Sequence, residues 1–477
     1  MGLLLLPRYT EGALDERTMA MLNILYLHSH DTGRIIQPYG YAVETPNLQR
    51  FAEEGVLVRH AFCAGPTCSP SRAALLTGQY PHSCGMLGLS GRRGGRLHDY
   101  QHHLSHFLKN HGYATALSGI EHEAPGDEAR RLLGYDHYLH DPWAPWADSF
   151  LKWNDFYASR AAEYLRHVDP TRPFFLSCGF SLTHRMGPGE QWHTSEKAAE
   201  PLGDPRYVRP PAPLPDTPET RRDFADFRVA VAYLDRCMGR VIEALEEAGL
   251  ADRTLVIITT DHGNAYPHMK CNLNDHGTGV MLMLRGPHGF SGGRVVDALV
   301  SHVDLFPTIC EAAGLEKPTW LQGVSLCPLV TGQTDSVREE VFADVNWHGY
   351  PEPMRTVRTS RYRYIRRYLI RRGSDNCDSS DSRTLLRRYG WDERTVPKES
   401  LFDLIFDPQE ANNVAADPAY ASVLGDMRAR LVRWIQETDD PALRGRIEPV
   451  PGMMVHGGDK DQPSNEAVPA TPLVFEP

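Results

Sequence analysis

Four short runs set the strongest limit on how this chain folds: Asn23–Leu27 (NILYL), Ala114–Leu117 (ATAL), Pro173–Cys178 (PFFLSC) and Thr254–Thr259 (TLVIIT). Each is mainly apolar without a strict polar alternation and is of strand length, which predicts strands covered on both faces, as in a parallel sheet. Between the last two lies an apolar stripe at spacings of four and three, formed by Phe227, Val231, Leu234, Met238, Val241 and Leu245. It predicts one amphipathic helix that closes at Ala248-Gly249. Strands alternating with helices imply an α/β fold with a mostly parallel sheet flanked by helices. After about residue 340 the texture changes. Met354–Tyr368 alternates like antiparallel strands, Leu401–Leu404 is a further short strand, and Val423–Glu437 reads as an amphipathic helix.

These features divide the chain into an extension over 1–18, a large α/β domain over 19–340, a small α+β subdomain over 341–445 and a Pro-, Gly- and Asp-rich tail over 446–477. The tail is expected to wrap the body or a partner subunit, which leaves room for a homo-oligomer. The segment MGLLLLPRYTEGALDER has four consecutive leucines and no basic start, a poor signal peptide, and Met19 or Met21 is a candidate start. A net charge of −11 argues against nucleic acid as partner, because phosphate binding needs a basic surface. No apolar run approaches the roughly 20 residues of a membrane span. Nine cysteines, scattered without metal-ligand spacing, predict reduced thiols and a cytoplasmic location.

The polar residues that follow the strands are the functional clue. His30-Asp31 follows the first, His122 the second, His184 the third and Asp261-His262 the fourth. Ligands of open α/β sheets bind beyond the carboxyl ends of the strands, so four strands deliver His or Asp to one edge. The pairs His30-Asp31 and Asp261-His262 have the chemistry of a divalent-metal site. A second stretch, CSPSRAALLTG over residues 68–78, predicts a helix with Ser69 as N-cap, Pro70 in the first turn and a stop at Thr77-Gly78. A cysteine at a helix N-terminus, near Arg72 and a cation, is electronically activated.

Cys68-Ser-Pro-Ser-Arg72, continued to Gly78, resembles the signature of the type I, formylglycine-dependent sulfatases. TPNLQRFAEEGVLVRHAFCAGPTCSPSR, TLVIITTDHGN and SLFDLIFDPQEANNVAADP extend the resemblance from Leu22 to about Leu443. The spacing to GMLGL, the stretch YPEPMRTVRTSRYRYIRRY and the closing LVRWIQETDDP are similar to the heparan N-sulfatase (sulfamidase) branch. The resemblance implies an alkaline-phosphatase-like α/β domain with a small C-terminal subdomain. It also implies hydrolysis of a sulfuric ester or sulfamate in a small anionic substrate such as a sulfated sugar.

On this resemblance Cys68 is oxidised to formylglycine (3-oxoalanine) by a maturation enzyme, and one divalent metal is held by His30, Asp31, Cys68, Asp261 and His262. Arg72 holds the nucleophile and sulfuryl oxygens, His122 helps expel sulfate, and His184 and Lys270 contact sulfate and the leaving atom. Two departures stand out. One member of each metal pair is histidine where the family has oxygen ligands, favouring Mn, Zn or Fe over Ca. The family's G-K-x-H is Gly119-Ile-Glu-His122, so a lysine is missing and Glu121 is expected to add negative charge. Such pairs also occur in related phosphonate monoester and phosphodiester hydrolases, which is the alternative reaction; a non-catalytic binding protein on the same fold is the third reading. Eleven arginines against three aspartates between Arg355 and Arg388 form either a solvated strand face with distant counter-charges or a surface that draws in an anionic substrate.

Overall fold

The computed structural model describes residues 22–140, 150–185, 192, 203–369, 376–456 and 467–476. The expected extension over 1–18 and the candidate starts Met19 and Met21 lie outside these residues. Eight strands form the main sheet: β1 (Asn23–Ser29), β2 (Val56–Phe62), β3 (Ala114–Gly119), β4 (His137–Tyr138), β5 (Phe174–Gly179), β6 (Thr254–Thr260), β7 (Leu282–Arg285) and β8 (Arg294–Ser301). Their order is β4-β3-β5-β1-β6-β7-β2-β8, and only β7 runs antiparallel to its neighbours. All four runs expected from the sequence are present, and β3, β5, β1 and β6 are adjacent and mutually parallel.

Every residue of β1 and β6 is buried, which is why these runs are continuous rather than alternating. Leu25 and Leu27 pack with the helices Phe150–Arg166 and Pro218–Glu247 on one face. Ile24 and Tyr26 pack with the helices Cys68–Thr77, Leu104–Asn110 and Leu305–Ala312 on the other. All six residues of the expected stripe are buried in the Pro218–Glu247 helix, which a Thr217–Thr220 capping box opens.

A second sheet, order β12-β11-β10-β9, is antiparallel and contains β9 (Glu340–Trp347), β10 (Pro351–Thr359), β11 (Tyr362–Arg367) and β12 (Glu399–Asp403). The helix Ala421–Glu437 packs on it through Leu424, Met427, Leu431 and Trp434. The tail has more pattern than its composition suggests. Ile447, Val450, Met453, Val455 and Leu473 pack on Leu87 and Trp347, and two short antiparallel pairs close it.

Four arginines of the arginine-rich stretch, Arg355, Arg358, Arg361 and Arg363, are already paired with carboxylates rather than free to draw in an anion. Arg358 donates to both oxygens of Asp275 at 3.1 and 3.2 Å, and Arg363, its cross-strand partner, bonds the same carboxylate. Arg361 pairs with Asp403 at 2.8 Å. Arg355, fully buried, donates to Asp440 at 2.5 and 2.9 Å. These counter-charges come from outside the run, as the first of the two expected readings has it, but the face is not solvated: Arg355, Arg358 and Arg363 are buried. Arg371 and Arg372 lie outside the described residues.

Arg355→Ala should lower the unfolding free energy by about 3–5 kcal/mol in a urea titration, because Asp440 is then buried without its partner. Arg361→Ala, whose side chain is half-exposed, should change it far less. Equal losses in the two variants would contradict this account of the run.

Candidate active site

The carboxyl ends of four neighbouring strands place the candidate residues. β1 ends in His30 and Asp31, and β6 ends in Asp261 and His262. Asp31 has a left-handed backbone (φ 56°), which Asp tolerates better than most residues, and its N–H donates to Asp261 Oδ1 at 2.8 Å. The ends of β3 and β5 close on each other at Gly119, with φ 86°. A Cβ there would lie 1.9 Å from Gly179 O, so only glycine permits the turn that carries the chain on to His122.

Cys68 arrives from the same edge, after β2. Its helix spans Cys68–Thr77 and ends at Gly78 in the left-handed conformation, as expected. The N-cap is Thr67 rather than Ser69. Ser69 lies inside the first turn, where its hydroxyl accepts the Ser90 N–H at 2.9 Å. Ser71 Oγ donates to Asp261 O and so ties the helix to the end of β6.

His30, Asp31, Cys68, Asp261 and His262 each offer one donor atom, and these five atoms all lie within 4.8 Å of one another. All five residues are buried. They are the five ligands expected from the sequence. His30 Nδ1 is 2.8 Å from Asp31 Oδ1 and 3.1 Å from Asp261 Oδ2. His262 Nδ1 bonds Gly263 O at 2.8 Å, which leaves Nε2 as the coordinating nitrogen, 3.2 Å from Asp31 Oδ1 and 3.6 Å from Cys68 Sγ.

The electrostatics of this cluster call for a cation. Burial favours the neutral imidazole of His30, yet Asp261, Cys68 and Asp31 outweigh it and lift its pKa to about 10. Burial opposes the Cys68 thiolate, but His30, Lys270, His122 and His184 hold the thiol well below its ordinary value. Two buried carboxylates and a thiolate thus draw protons onto the imidazoles where a divalent ion would supply the charge. The donor set fits one such ion.

Around this cluster stand the other expected residues. Arg72 donates to Ser29 O at 2.9 Å and to Asp261 Oδ2 at 3.0 Å. Lys270 Nζ is 2.9 Å from Asp31 Oδ2. His122 Nδ1 is 3.4 Å from His30 Nε2, and burial, with the nearby positive charge, lowers its pKa to about 4. His184 Nε2 lies 4.0 Å from Asp31 Oδ2, with the side chain 27% exposed.

At the position of the missing lysine, Ile120 packs against the apolar core. The expectation that Glu121 adds negative charge is corrected. Its Oε2 accepts the N–H groups of Glu123 and Ala124 at 3.0 and 3.2 Å, and burial together with Glu123 raises its pKa to about 8. This pull toward the neutral acid reduces the negative charge expected of Glu121.

Three further residues join the site without having been singled out in the sequence. His28, one turn of the pleat before His30, accepts from Arg72 at Nδ1 and bonds Ser177 Oγ through Nε2 at 3.2 Å. Burial and Arg72 keep it neutral, with its pKa well below the usual value. The period-2 spacing from His30 was the available signal. Asp378 Oδ2 lies 2.9 Å from Lys270 Nζ, and His348 stands in the turn between β9 and β10 with a buried Nδ1 that has no partner. Neither has a local sequence signal, since both reach the site through tertiary contacts.

Comparison with known proteins agrees with this geometry. A family model described as Sulfatase matches residues 23–315, and one described as N-sulphoglucosamine sulphohydrolase, C-terminal, matches residues 268–381. The chain is 29% identical to the N-sulphoglucosamine sulphohydrolase of Homo sapiens over 473 residues, covering 88% of this chain and 91% of that protein. A solved 2-O GAG sulfatase superimposes with a TM-score of 0.67 at 22% identity, covering 94% of this chain and 98% of the other. The phosphonate monoester hydrolase of Agrobacterium radiobacter gives 0.66 at 20% identity, covering 96% and 100%. These two likenesses concern the fold. The chain belongs to the sulfatase family, and its C-terminal part matches the domain described for N-sulphoglucosamine sulphohydrolase.

Proposed function

We propose that Cys68, matured to formylglycine, and one divalent cation held by His30, Asp31, Asp261 and His262 carry out the reaction that family membership assigns to this chain, hydrolysis of a sulfuric ester or sulfamate. The observation that carries the reading is the convergence of four buried donors, from the ends of β1 and β6, around the Cys68 sulfur. Two imidazoles in the set favour Mn, Zn or Fe over Ca, which prefers six to eight oxygens. The cation supplies charge to the sulfuryl oxygens and lowers the pKa of the nucleophile, and the formylglycine hydrate supplies the attacking hydroxyl.

The remaining steps belong to the chain's own side chains. Arg72 is fixed by Ser29 O, Asp261 and neutral His28, so its charge stands ready for the oxygens on which negative charge develops. Lys270, buried and held toward Asp31, contributes a second positive charge beside the transferred group. His184, partly exposed, donates a proton to the departing oxygen or nitrogen. His122, neutral at working pH, takes the proton of the second hydroxyl when sulfate is expelled. A small anionic substrate, a sulfated sugar among the candidates, suits the site, and the related human enzyme is named for such a compound.

Cys68→Ala should cut hydrolysis of an aryl sulfate below about one per cent of wild type while the melting temperature stays nearly constant. Residual turnover above that level would remove Cys68 from the nucleophile's place. A wild-type preference for phosphodiesters over sulfates, in protein whose residue 68 is shown by mass to be the aldehyde, would favour the phosphoryl alternative instead.

His262→Ala should lose most of its cation after dialysis from manganese, read by elemental analysis, whereas wild type retains about one equivalent. A full equivalent retained by the variant would place the cation elsewhere.

A further inference from the structure

Asp378 enters the site from the C-terminal part of the chain, not from the strands that carry the metal ligands. Its Oδ2 lies 2.9 Å from Lys270 Nζ, and the same ammonium lies 2.9 Å from Asp31 Oδ2. Lys270 is 2% exposed and Asp378 16%, so the carboxylate is the more open member of the pair. Its segment is fastened to the turn between β9 and β10: Asn376 Oδ1 accepts the Tyr350 N–H at 2.9 Å, and Asn376 Nδ2 donates to Glu352 Oε2 at 2.8 Å. This is a built contact rather than a stray surface carboxylate.

A cation held by Asp31 would take up that carboxylate's charge, which leaves Asp378 as the carboxylate that balances Lys270. The buried Arg185 also feels Asp378, but its guanidinium is held by Asp223 at 2.6 Å, and His348 in the turn is neutral: burial, and then the charge of Lys270, lower its pKa to about 4. Ile120 in place of the family's lysine withholds a further positive charge from the opposite side.

We propose that Asp378 is a specificity-determining residue that takes up the charge of Lys270 and so restricts the site to sulfuryl groups bearing a single negative charge, against dianions and against leaving groups with a second anion beside the ester. The inference rests on the placement of Lys270 beside the transferred group given above. A fixed like charge in a partly buried site is worth about tenfold in affinity after solvent screening.

Sulfamate and sulfate share one tetrahedral shape but carry one and two charges at pH 7.5, so they separate charge from fit. Their binding to the full chain, loaded with manganese, is measured by titration calorimetry for wild type, Asp378→Asn and Asp378→Glu. Asn keeps an oxygen for Lys270 and removes the charge. The expected result is a rise of about tenfold in the affinity for sulfate relative to sulfamate in Asp378→Asn, with the wild-type ratio retained in Asp378→Glu. Hydrolysis of an aryl phosphate relative to an aryl sulfate should rise in parallel. A residue that is only structural weakens both anions alike, so an unchanged ratio in Asp378→Asn overturns the proposal, as does an equal shift in Asp378→Glu. Wild type that binds neither anion also overturns it. Wild type that binds both with the expected ratios but turns over no sulfate ester contradicts the reaction proposed above and leaves the role of Asp378 standing.

Discussion

The pair Asp31 and Asp261, buried at the ends of the adjacent parallel strands β1 and β6, is the constraint around which the rest is arranged. Two carboxylates taken out of water cost several kcal/mol each unless charge is brought to them. The chain brings it from four directions: Arg72 on the Cys68 helix, Lys270 on the loop after β6, and the imidazoles of His30 and His262. A divalent cation completes the same balance more strongly than protonated imidazoles do. Cys68, the four donors around it, Arg72 and Lys270 are therefore one electrostatic unit.

The C-terminal sheet is held to the main domain by the same kind of interaction. Asp275, on the loop that follows Lys270, receives Arg358 and Arg363 from facing strands, and Glu410 accepts the Asp275 N–H. On the other side, His82, which follows the Cys68 helix, lies 3.1 Å from Asp344 on β9. Asp440 bridges from there to Arg355. Arg358 and Arg363, which look unpaired in the sequence, are ties between the two parts.

Much of this was legible in the sequence, for physical reasons. β1, β3, β5 and β6 are covered on both faces and so keep unbroken apolar runs, and their order of burial placed every polar residue that follows them at one edge. β2 and β8 were harder to see. β2 carries Arg59 and His60 in its middle, and β8 is an edge strand with exposed Arg294, Val295 and Asp297. β4 has two residues and no pattern at all. The cluster of His30, Asp31, Asp261 and His262 was readable because its members are adjacent in sequence and tethered to strand ends. Asp378 and His348 were not, because their positions depend on Asn376 and Tyr350, far from the strands. The charge of Glu121 was misread for a related reason: burial and Glu123, neither visible in a motif, decide its protonation.

The most direct test of this account is anomalous diffraction from crystals of the full chain, produced together with a formylglycine-generating enzyme and soaked in manganese. The account predicts one anomalous peak within about 2.5 Å of carboxylate oxygens of Asp31 and Asp261 and a ring nitrogen of His262, with an oxygen rather than sulfur on the side chain of residue 68. A peak elsewhere, or none in the cluster when residue 68 carries the oxygen, would contradict it.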